Sequence, residues 1–336
     1  MENIKISEWR QNKMNNFKER PYILLTPGPL TTSETVREAM LKDWCTWDES
    51  YNSLVQDMRE KILDIATEKK DEYTVIPMQG SGTFSVESVL TTAVGEEDKI
   101  LIISNGAYGD RMIKISQIAQ SNYKFLKFPQ VSLPNLKEIE DTLKKDSNIT
   151  HVAVVHCETT SGILNPIKEI GEIVKKYGKI YIVDAMSSFG GIEFDMDVLG
   201  IDFLISSSNK CIQGVPGFGF VIGKKSQMEK LEGKARSHSL DIYDQWKTME
   251  NGGGKWRFTS PTHVVRGFYQ ALLELEKEGG VKSREKRYGE NHKILTEGMK
   301  DLGFKSIIDE KIQSPIITTF SAPKNVNYNF KDFYEN

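Results

Sequence analysis

The sequence predicts an α/β protein with a mainly parallel sheet that is flanked by helices. Short β-rich runs alternate with longer amphipathic stretches, as they do in chains built of βα units. The runs at 152–155 and 180–183 are apolar or aromatic at every position, which is typical of strands that are covered on both faces. In such a sheet the ligand binds beyond the carboxyl ends of the strands. The residues that follow each strand are therefore the candidate functional residues.

The predicted elements follow one another along the middle of the chain. The predicted strands are Lys99–Ser104, Tyr123–Phe128, His151–His156, Ile180–Asp184, Phe203–Ser206 and Gly219–Ile222. The helical patterns between them are Thr83–Val94, Tyr108–Gln120, Leu136–Lys145 and Pro166–Tyr177.

The pattern changes after residue 266. Two charged helical patterns, Phe268–Lys277 and Lys282–Leu302, precede a strand-like segment at Ile316–Phe320 and the opening of a helix at 329–336. We therefore expect an N-terminal arm at residues 1–21, a large domain at 22–266 and a smaller, incomplete α+β domain at 267–336.

Composition narrows the functional classes. The chain has 336 residues and a formal net charge of −3, which argues against a protein that binds a polyanion or a basic membrane-surface protein. No apolar run is long enough to cross a bilayer, and no apolar signal core follows Met1. The cysteines, Cys45, Cys157 and Cys211, have no CxxC spacing, so we expect neither a disulfide framework nor a zinc ribbon, and no bound metal. The expected location is the cytoplasm.

A glycine-containing turn is the first candidate binding feature. Residues 79–83 read Gln-Gly-Ser-Gly-Thr and precede a helical pattern. Backbone amides at a helix N-terminus can bind a phosphate, although a plain turn with an N-cap reads the same way. The stretch lacks the Walker lysine and the GxGxxG spacing, which makes ATP and NAD poor candidates.

Two charged residues follow predicted strands. Asp184 ends a buried strand, where it could cap the next helix or pair with a buried cation. Lys210 follows another strand among small hydroxyl residues; it could be solvated, or partly desolvated and able to form an imine and carry protons. A phosphate-binding turn, an acid and a lysine at one sheet edge are together what pyridoxal 5′-phosphate requires.

Several motifs extend this interpretation. They are Leu-Leu-Thr-Pro-Gly-Pro at 24–29, Asp-Trp-Cys-Thr-Trp-Asp at 43–48, Ser-Asn-Gly-Ala-Tyr-Gly at 104–109, His-Cys-Glu-Thr-Thr-Ser-Gly at 156–162, Asp-Ala-Met-Ser-Ser at 184–188 and Asn-Lys-Cys at 209–211. With them the chain resembles the class V, fold-type I pyridoxal-phosphate aminotransferases. Within that family it most resembles the branch that transfers the amino group of 2-aminoethylphosphonate to pyruvate.

The resemblance implies a role for individual residues. Lys210 is the lysine that joins the cofactor aldehyde, and Asp184 pairs with the pyridine nitrogen. The other implied cofactor contacts are Ser81, Gly82 and Thr83 at the phosphate, Tyr108 and Met186 on the two ring faces, Thr160 near the phenolic oxygen, Asn209 beside the lysine, and Thr259 with Trp256 at the phosphate of a neighbouring subunit. A homodimer with a shared active site is implied as well.

One departure from the family pattern concerns the substrate carboxylate. The family binds it through an arginine in a C-terminal Phe-Arg-Ile-Gly-like strand, and the last arginines here, Arg266, Arg284 and Arg287, do not occur in such a segment. We therefore expect a chain shortened at its C-terminus. The alternatives are alanine–glyoxylate or serine–glyoxylate transamination, a cysteine desulfurase, and a non-catalytic shortened paralogue that only binds.

Overall fold

A seven-stranded sheet lies at the centre of the computed structural model, which describes residues 23–323 and 328–335. Its strands are β1 (Tyr73–Gln79), β2 (Lys99–Ser104), β3 (Asn122–Lys127), β4 (His151–Val155), β7 (Ile180–Asp184), β8 (Phe203–Ser207) and β9 (Phe218–Lys224), and β5 (Cys157–Glu158) pairs with β6 (Ile163–Leu164) outside this sheet. The expected N-terminal arm, residues 1–21, lies outside the described residues.

The sheet is mainly parallel, as predicted. The order is β1-β9-β8-β7-β4-β2-β3, and the four pairs from β8 to β3 are parallel. Strand β9 is antiparallel to both of its neighbours, β8 and β1. Since β1 therefore runs in the same direction as β8, the carboxyl ends of six strands meet at one edge.

Both faces of the sheet are buried. Leu101, Val154 and Val183 belong to the core on one face, and their neighbours along the strands, such as Ala153 and Ile182, belong to the core on the other face. Side chains alternate between the faces of a strand. A strand that is covered on both faces must therefore be apolar throughout, which explains the runs that predicted the sheet.

Helices cover the two faces. They are α1 (Glu34–Glu38), α2 (Glu49–Ala66), α3 (Gly82–Thr92), α4 (Ala107–Ile118), α5 (Leu136–Lys145), α6 (Ile167–Lys176), α7 (Lys225–Met228), α8 (Ile242–Asn251), α9 (Thr262–Glu278), α10 (Gly280–Asp301) and α11 (Phe330–Glu335). Helix α6 shows the reason for the pattern: Ile167, Ile170 and Val174 recur at helical spacing and are buried.

The structure corrects one predicted element and contains several that the sequence analysis did not predict. The strand predicted at Ile316–Phe320 is wrong, because within the described residues only Phe320 pairs there, through an isolated bridge to Ser306. A strand needs a neighbour with which to exchange hydrogen bonds. The sequence analysis also missed β1, whose Pro77 interrupts the strand pattern; β1 is an edge strand, where proline is tolerated.

The expected domain boundary stays a prediction. Helix α9 runs from Thr262 to Glu278 and passes through residues 266 and 267 without a break. The described part of the chain contains no helix that is both long and apolar enough to span a membrane.

Candidate active site

One cavity at the carboxyl edge of the sheet brings together most of the residues expected at the cofactor. It has a volume of about 280 Å³. Its lining includes Ser81, Gly82, Thr83, Tyr108, Asp184, Met186, Asn209 and Lys210, with Pro29, Val86, Arg111, Ser207 and Pro216 between them. The strands β1, β7 and β8 deliver the turn, the acid and the lysine to this one place because their carboxyl ends share an edge.

The turn after β1 leaves hydrogen-bond donors directed at the cavity. Ser81 is the N-cap of α3, and its hydroxyl makes no capping bond within the helix. The first amides of a helix have no partner inside the helix and carry a partial positive charge. Gly80 has a φ of +119°, which favours glycine, and a Cβ at Gly82 would lie 2.4 Å from the Sδ and Cε of Met186. The backbone thus favours glycine at position 80, and a side chain at position 82 would require the end of Met186 to move.

Asp184 is a buried carboxylate at the end of β7. Its side chain is part of a residue only 3% exposed, and Oδ1 accepts a hydrogen bond of 2.9 Å from the backbone N–H of Met186. Burial raises the pKa of Asp184 to about 6, and the charge of Glu158 raises it further while the Met186 amide opposes the shift. Such a carboxyl favours a cationic partner.

Lys210 is a largely buried amine that faces the same cavity. The residue is 9% exposed, and Nζ donates a hydrogen bond of 3.3 Å to the carbonyl oxygen of Gly28. Desolvation lowers the pKa of Lys210, although the charge of Asp184 acts in the opposite direction. A larger fraction of this amine is therefore neutral and nucleophilic than of a lysine in water.

The sequence analysis missed Arg111 as a site residue. Its guanidinium carbon lies 4.6 Å from the ring centroid of Tyr108, and Nη1 donates to Thr83 Oγ1 at 3.0 Å. Arg111 follows Tyr108 by three positions on α4, and residues at that spacing share a helix face. The spacing could have pointed to it, since Tyr108 was already a candidate.

Three of the expected contacts do not line this cavity. Thr160 is exposed and donates its hydroxyl to Glu158 Oε1 at 2.5 Å. Trp256 and Thr259 line a different cavity of about 450 Å³, together with Gly80 and other residues near the turn. Trp256 is buried, its ring lies edge-on to Phe218 at 5.8 Å, and its Nε1 has no partner among the described residues. The implied role of this pair is at a neighbouring subunit, so their place outside the cavity leaves that prediction open.

The groups in the cavity fit pyridoxal 5′-phosphate. A helix N-terminus with an unused serine hydroxyl suits the phosphate. An amine whose pKa is lowered suits the aldehyde, and a buried carboxylate suits a protonated ring nitrogen.

Comparison with known proteins decides the family. The model of the class V aminotransferases (Aminotransferase class-V) matches residues 42–332. The chain belongs to the class V aminotransferases. Members of this family depend on pyridoxal 5′-phosphate, which is accordingly the cofactor of this chain.

Similar aminotransferases cover nearly the whole chain. The 2-aminoethylphosphonate–pyruvate transaminase of Bacteroides fragilis is 59% identical over 316 residues, which are 94% of this chain and 87% of that protein. The transaminase of the same name from Bacillus cereus is 56% identical over 316 residues, covering 94% of this chain and 86% of its own. A bifunctional phosphonoacetaldehyde hydrolase/aminoethylphosphonate transaminase from Clostridioides difficile is 55% identical over 96% of this chain and 51% of its own length.

Solved structures of other aminotransferases share the fold. Alanine–glyoxylate aminotransferase from Nostoc sp. has a TM-score of 0.85 at 24% identity, covering 92% of this chain and 82% of its own. Pyridoxamine–pyruvate aminotransferase from Mesorhizobium loti has a TM-score of 0.83 at 23% identity, covering 92% of this chain and 79% of its own. The fold-type I architecture predicted from the sequence is thereby confirmed.

Proposed function

We propose that this aminotransferase transfers the amino group of 2-aminoethylphosphonate to pyruvate, giving phosphonoacetaldehyde and L-alanine. The observation that carries the reaction type is the single cavity in which Lys210, Asp184 and the N-terminus of α3 meet. The choice of substrates is supported by the relatives named 2-aminoethylphosphonate–pyruvate transaminase, which are 59%, 57% and 56% identical to this chain.

Lys210 is the proposed nucleophile and proton carrier. When bound, pyridoxal phosphate supplies an aldehyde carbon that takes up an amino group and a ring that takes up the electron pair of a broken C–H bond. Nζ of Lys210 would hold the aldehyde carbon and, when the donor amine has taken its place there, would carry a proton from the substrate carbon to that cofactor carbon. The lowered pKa of Lys210 favours the neutral amine that this role needs.

Asp184 is proposed to hold a proton at the ring nitrogen. Its carboxylate is buried at the end of β7, and the amide of Met186 fixes one of its oxygens. A buried carboxylate is most stable beside a cation. The residue thus favours the protonated ring, which accepts electrons better than a neutral one.

The substrates and the cofactor phosphate are anions, so the positive groups of the cavity are important. Among its lining residues the basic side chains are Lys210 and Arg111, and the guanidinium of Arg111 stays charged when Lys210 acts as a neutral amine. Arg111 already contacts Thr83 at the phosphate-binding turn. We propose that its guanidinium binds an anionic group of the cofactor or the substrate there. No arginine is assigned to the substrate carboxylate.

The cysteines argue against sulfur transfer. Cys211 is buried beside Lys210, and burial raises the pKa of its thiol to about 12, as it does for Cys157. A protonated thiol is a poor nucleophile. The two cysteines near Lys210 are buried, so neither suits the nucleophile of a cysteine desulfurase. The exposed cysteine is Cys45.

We further propose a homodimer that shares its active sites and acts in the cytoplasm. The exposed Thr259 and the half-exposed rings of Phe84 and Phe258 lie around the second cavity, next to the phosphate-binding turn. An exposed apolar surface beside a site suits a second copy of the chain. Light scattering of the holoenzyme should give twice the chain mass of 38.2 kDa, and a monomer that is fully active would contradict the dimer.

The assay that tests the function compares amine donors. Purified holoenzyme is supplied with 2-aminoethylphosphonate and pyruvate, and alanine and phosphonoacetaldehyde are measured. We expect turnover well above that with alanine or serine as donor and glyoxylate as acceptor. A preference for either of those pairs would replace the proposed substrates. A cofactor absorption band without any loss of amine donor would identify a non-catalytic protein.

Lys210→Ala is the variant that tests the mechanism. We expect a loss of at least about 10⁴-fold in turnover, because both the nucleophile and the proton carrier are removed. Lys179→Ala is the control, since Lys179 is partly exposed and lies outside the cavity lining, and its Nζ donates to the carbonyl oxygen of Ser147. If Lys210→Ala turned over at the rate of the control, the role assigned to Lys210 would be wrong.

A further inference from the structure

Glu158 is a fully buried carboxylate that the proposed mechanism does not use. It is 0% exposed and ends the short strand β5. A buried carboxylate is costly unless its oxygens accept hydrogen bonds. The groups that donate hydrogen bonds to Glu158 therefore indicate which parts of the structure it positions.

The first group of donors is the beginning of α4. Glu158 accepts from the backbone N–H of Tyr108 at 3.3 Å and from that of Gly109 at 3.4 Å. A negative charge at a helix N-terminus is favourable, because the free amides point towards it. The contact is so close that a Cβ at Gly106 would lie 2.2 Å from Cγ of Glu158. The carboxylate thus fixes the turn from which the ring of Tyr108 projects.

The second donor is Thr160. Its backbone N–H lies 3.4 Å and its Oγ1 lies 2.5 Å from Glu158 Oε1. The same hydroxyl accepts from the backbone N–H of Ala107 at 3.3 Å. A threonine hydroxyl has one hydrogen and two acceptor positions. With the hydrogen given to Glu158 and one acceptor position used by Ala107, one lone pair is left, and its direction is set.

We infer that Glu158 is a positioning residue that orients Tyr108 for the bound cofactor, both directly and through the hydroxyl of Thr160. The inference rests on the proposed function, since Tyr108 lines the cavity proposed for the cofactor, whereas Thr160 lies outside that lining and accepts from the amide of Ala107 beside Tyr108. Glu158 does not line the cavity either; besides its charge, which acts on Asp184, it acts through these hydrogen bonds. Glu158 thus joins the loop after β4 to the start of α4.

A double-mutant cycle tests this coupling in the holoenzyme. The variants are Glu158→Gln, Thr160→Val and the double variant, and each is measured for its dissociation constant for pyridoxal phosphate and for the visible circular dichroism of the bound cofactor. Gln keeps an oxygen that can accept, but it lacks the charge and turns an NH₂ towards backbone N–H groups. We expect Glu158→Gln to weaken cofactor binding about tenfold, the effect of one lost charge-assisted hydrogen bond, and to reduce the dichroism per bound cofactor.

The coupling energy measured by the cycle distinguishes a positioning role of Glu158 from a purely structural one. If Glu158 acts through the Thr160 hydroxyl, the double variant binds the cofactor only a little more weakly than whichever single variant has the larger dissociation constant. Effects that multiply in the double variant would overturn the inference, and so would a normal dissociation constant and dichroism in Glu158→Gln. Asn135→Ala is the control: it removes the side chain that caps α5, a helix that contributes no residue to the cavity, and should leave both readouts unchanged.

A second pair of variants applies if Glu158→Gln does not fold. Thr160 is exposed, so Thr160→Val and Thr160→Ser should both fold. Only Ser keeps the hydroxyl, and we expect Ser to retain the dichroism that Val loses. Equal spectra for the two variants would overturn the inference. All of these spectra are recorded without an amine donor, so their outcome does not depend on which substrates the enzyme uses.

Discussion

Asp184→Asn should make the cofactor-free protein more stable at neutral pH. The native pKa of Asp184 is about 6 against an ordinary value of 3.8, and burial is the main cause. The native state therefore holds this proton more tightly than the unfolded state does. The contribution of Asp184 to stability is fully present below pH 3.8 and is lost as the pH rises through about 6. Asn at this position does not titrate, and its Oδ1 can still accept the Met186 amide.

The magnitude follows from the two pKa values. A difference of about two units corresponds to about 3 kcal/mol at about 1.36 kcal/mol per unit. Part of this change in the free energy of unfolding occurs below about pH 4.5, so about 2 kcal/mol of it should develop between about pH 4.5 and pH 7.5. The buried His151 and His156 also titrate, with pKa values lowered by burial to about 4 and about 3, but they are common to both proteins and cancel in the difference.

Urea denaturation of the cofactor-free proteins across this pH range measures the effect. The free energy of unfolding of Asp184→Asn minus that of the parent should rise with pH. Asp146→Asn is a control whose difference from the parent should stay nearly constant over this range, because a hydrogen bond from Lys99 lowers the pKa of Asp146 below 3.8 and its titration lies at more acid pH. A difference for Asp184→Asn that stays constant with pH, or falls, would refute the reasoning. Added cofactor should reverse the order, since only the parent offers its ring nitrogen a carboxylate.

Two further variants test packing and charge burial. Gly171→Ala should destabilise the protein by about 1–3 kcal/mol, because its Cβ would lie 2.4 Å from the carbonyl oxygen of Leu199; Gly289→Ala, also helical but with nothing within 4 Å, should stabilise by up to about 1 kcal/mol, and equal urea midpoints would contradict this. Arg284→Ala should cost about 3–5 kcal/mol in the same assay, since Arg284 is 2% exposed and donates to Glu278 and to a backbone carbonyl. A loss below about 1 kcal/mol would show that this ion pair is dispensable.

The strand-end rule explains how much of the site could be predicted. Asp184 and Lys210 can be predicted from the sequence because they lie at or after the ends of apolar runs typical of buried strands, and the structure places both in one cavity. The turn at 79–83 was identified from its glycines, although the strand before it was missed because Pro77 interrupts the pattern. The hydrophobic pattern and the position of a residue after a strand are sufficient to predict a site residue when the signal lies within a few neighbouring residues.

The remaining features depend on contacts between distant segments. Arg111 is an exposed cation on a helix, and its spacing of three positions from Tyr108 is the one sequence signal that separates it from the many other surface cations. Glu158 is one residue of the motif at 156–162, and nothing in that motif indicates its role. Its contacts with α4 exist only when the fold brings β5 and α4 together. The segment Ile316–Phe320 has the composition of a strand, but composition does not supply a neighbouring strand.

The contact between Lys210 and Gly28 ties the reactive amine to a segment far from it in the chain. Gly28 has a φ of +147°, and a Cβ there would lie 2.3 Å from the carbonyl oxygen of Asn209 and 2.6 Å from Cδ of Lys210. Any larger residue at position 28 would thus push against the lysine stem itself. A nitrogen Nζ that has bonded to a carbonyl carbon has fewer hydrogens to donate, so the Gly28 carbonyl oxygen that accepts from it becomes available to another donor, such as water. The hydrogen bonding of the loop before α1 thus depends, through one backbone oxygen, on whether the amine is free or bonded.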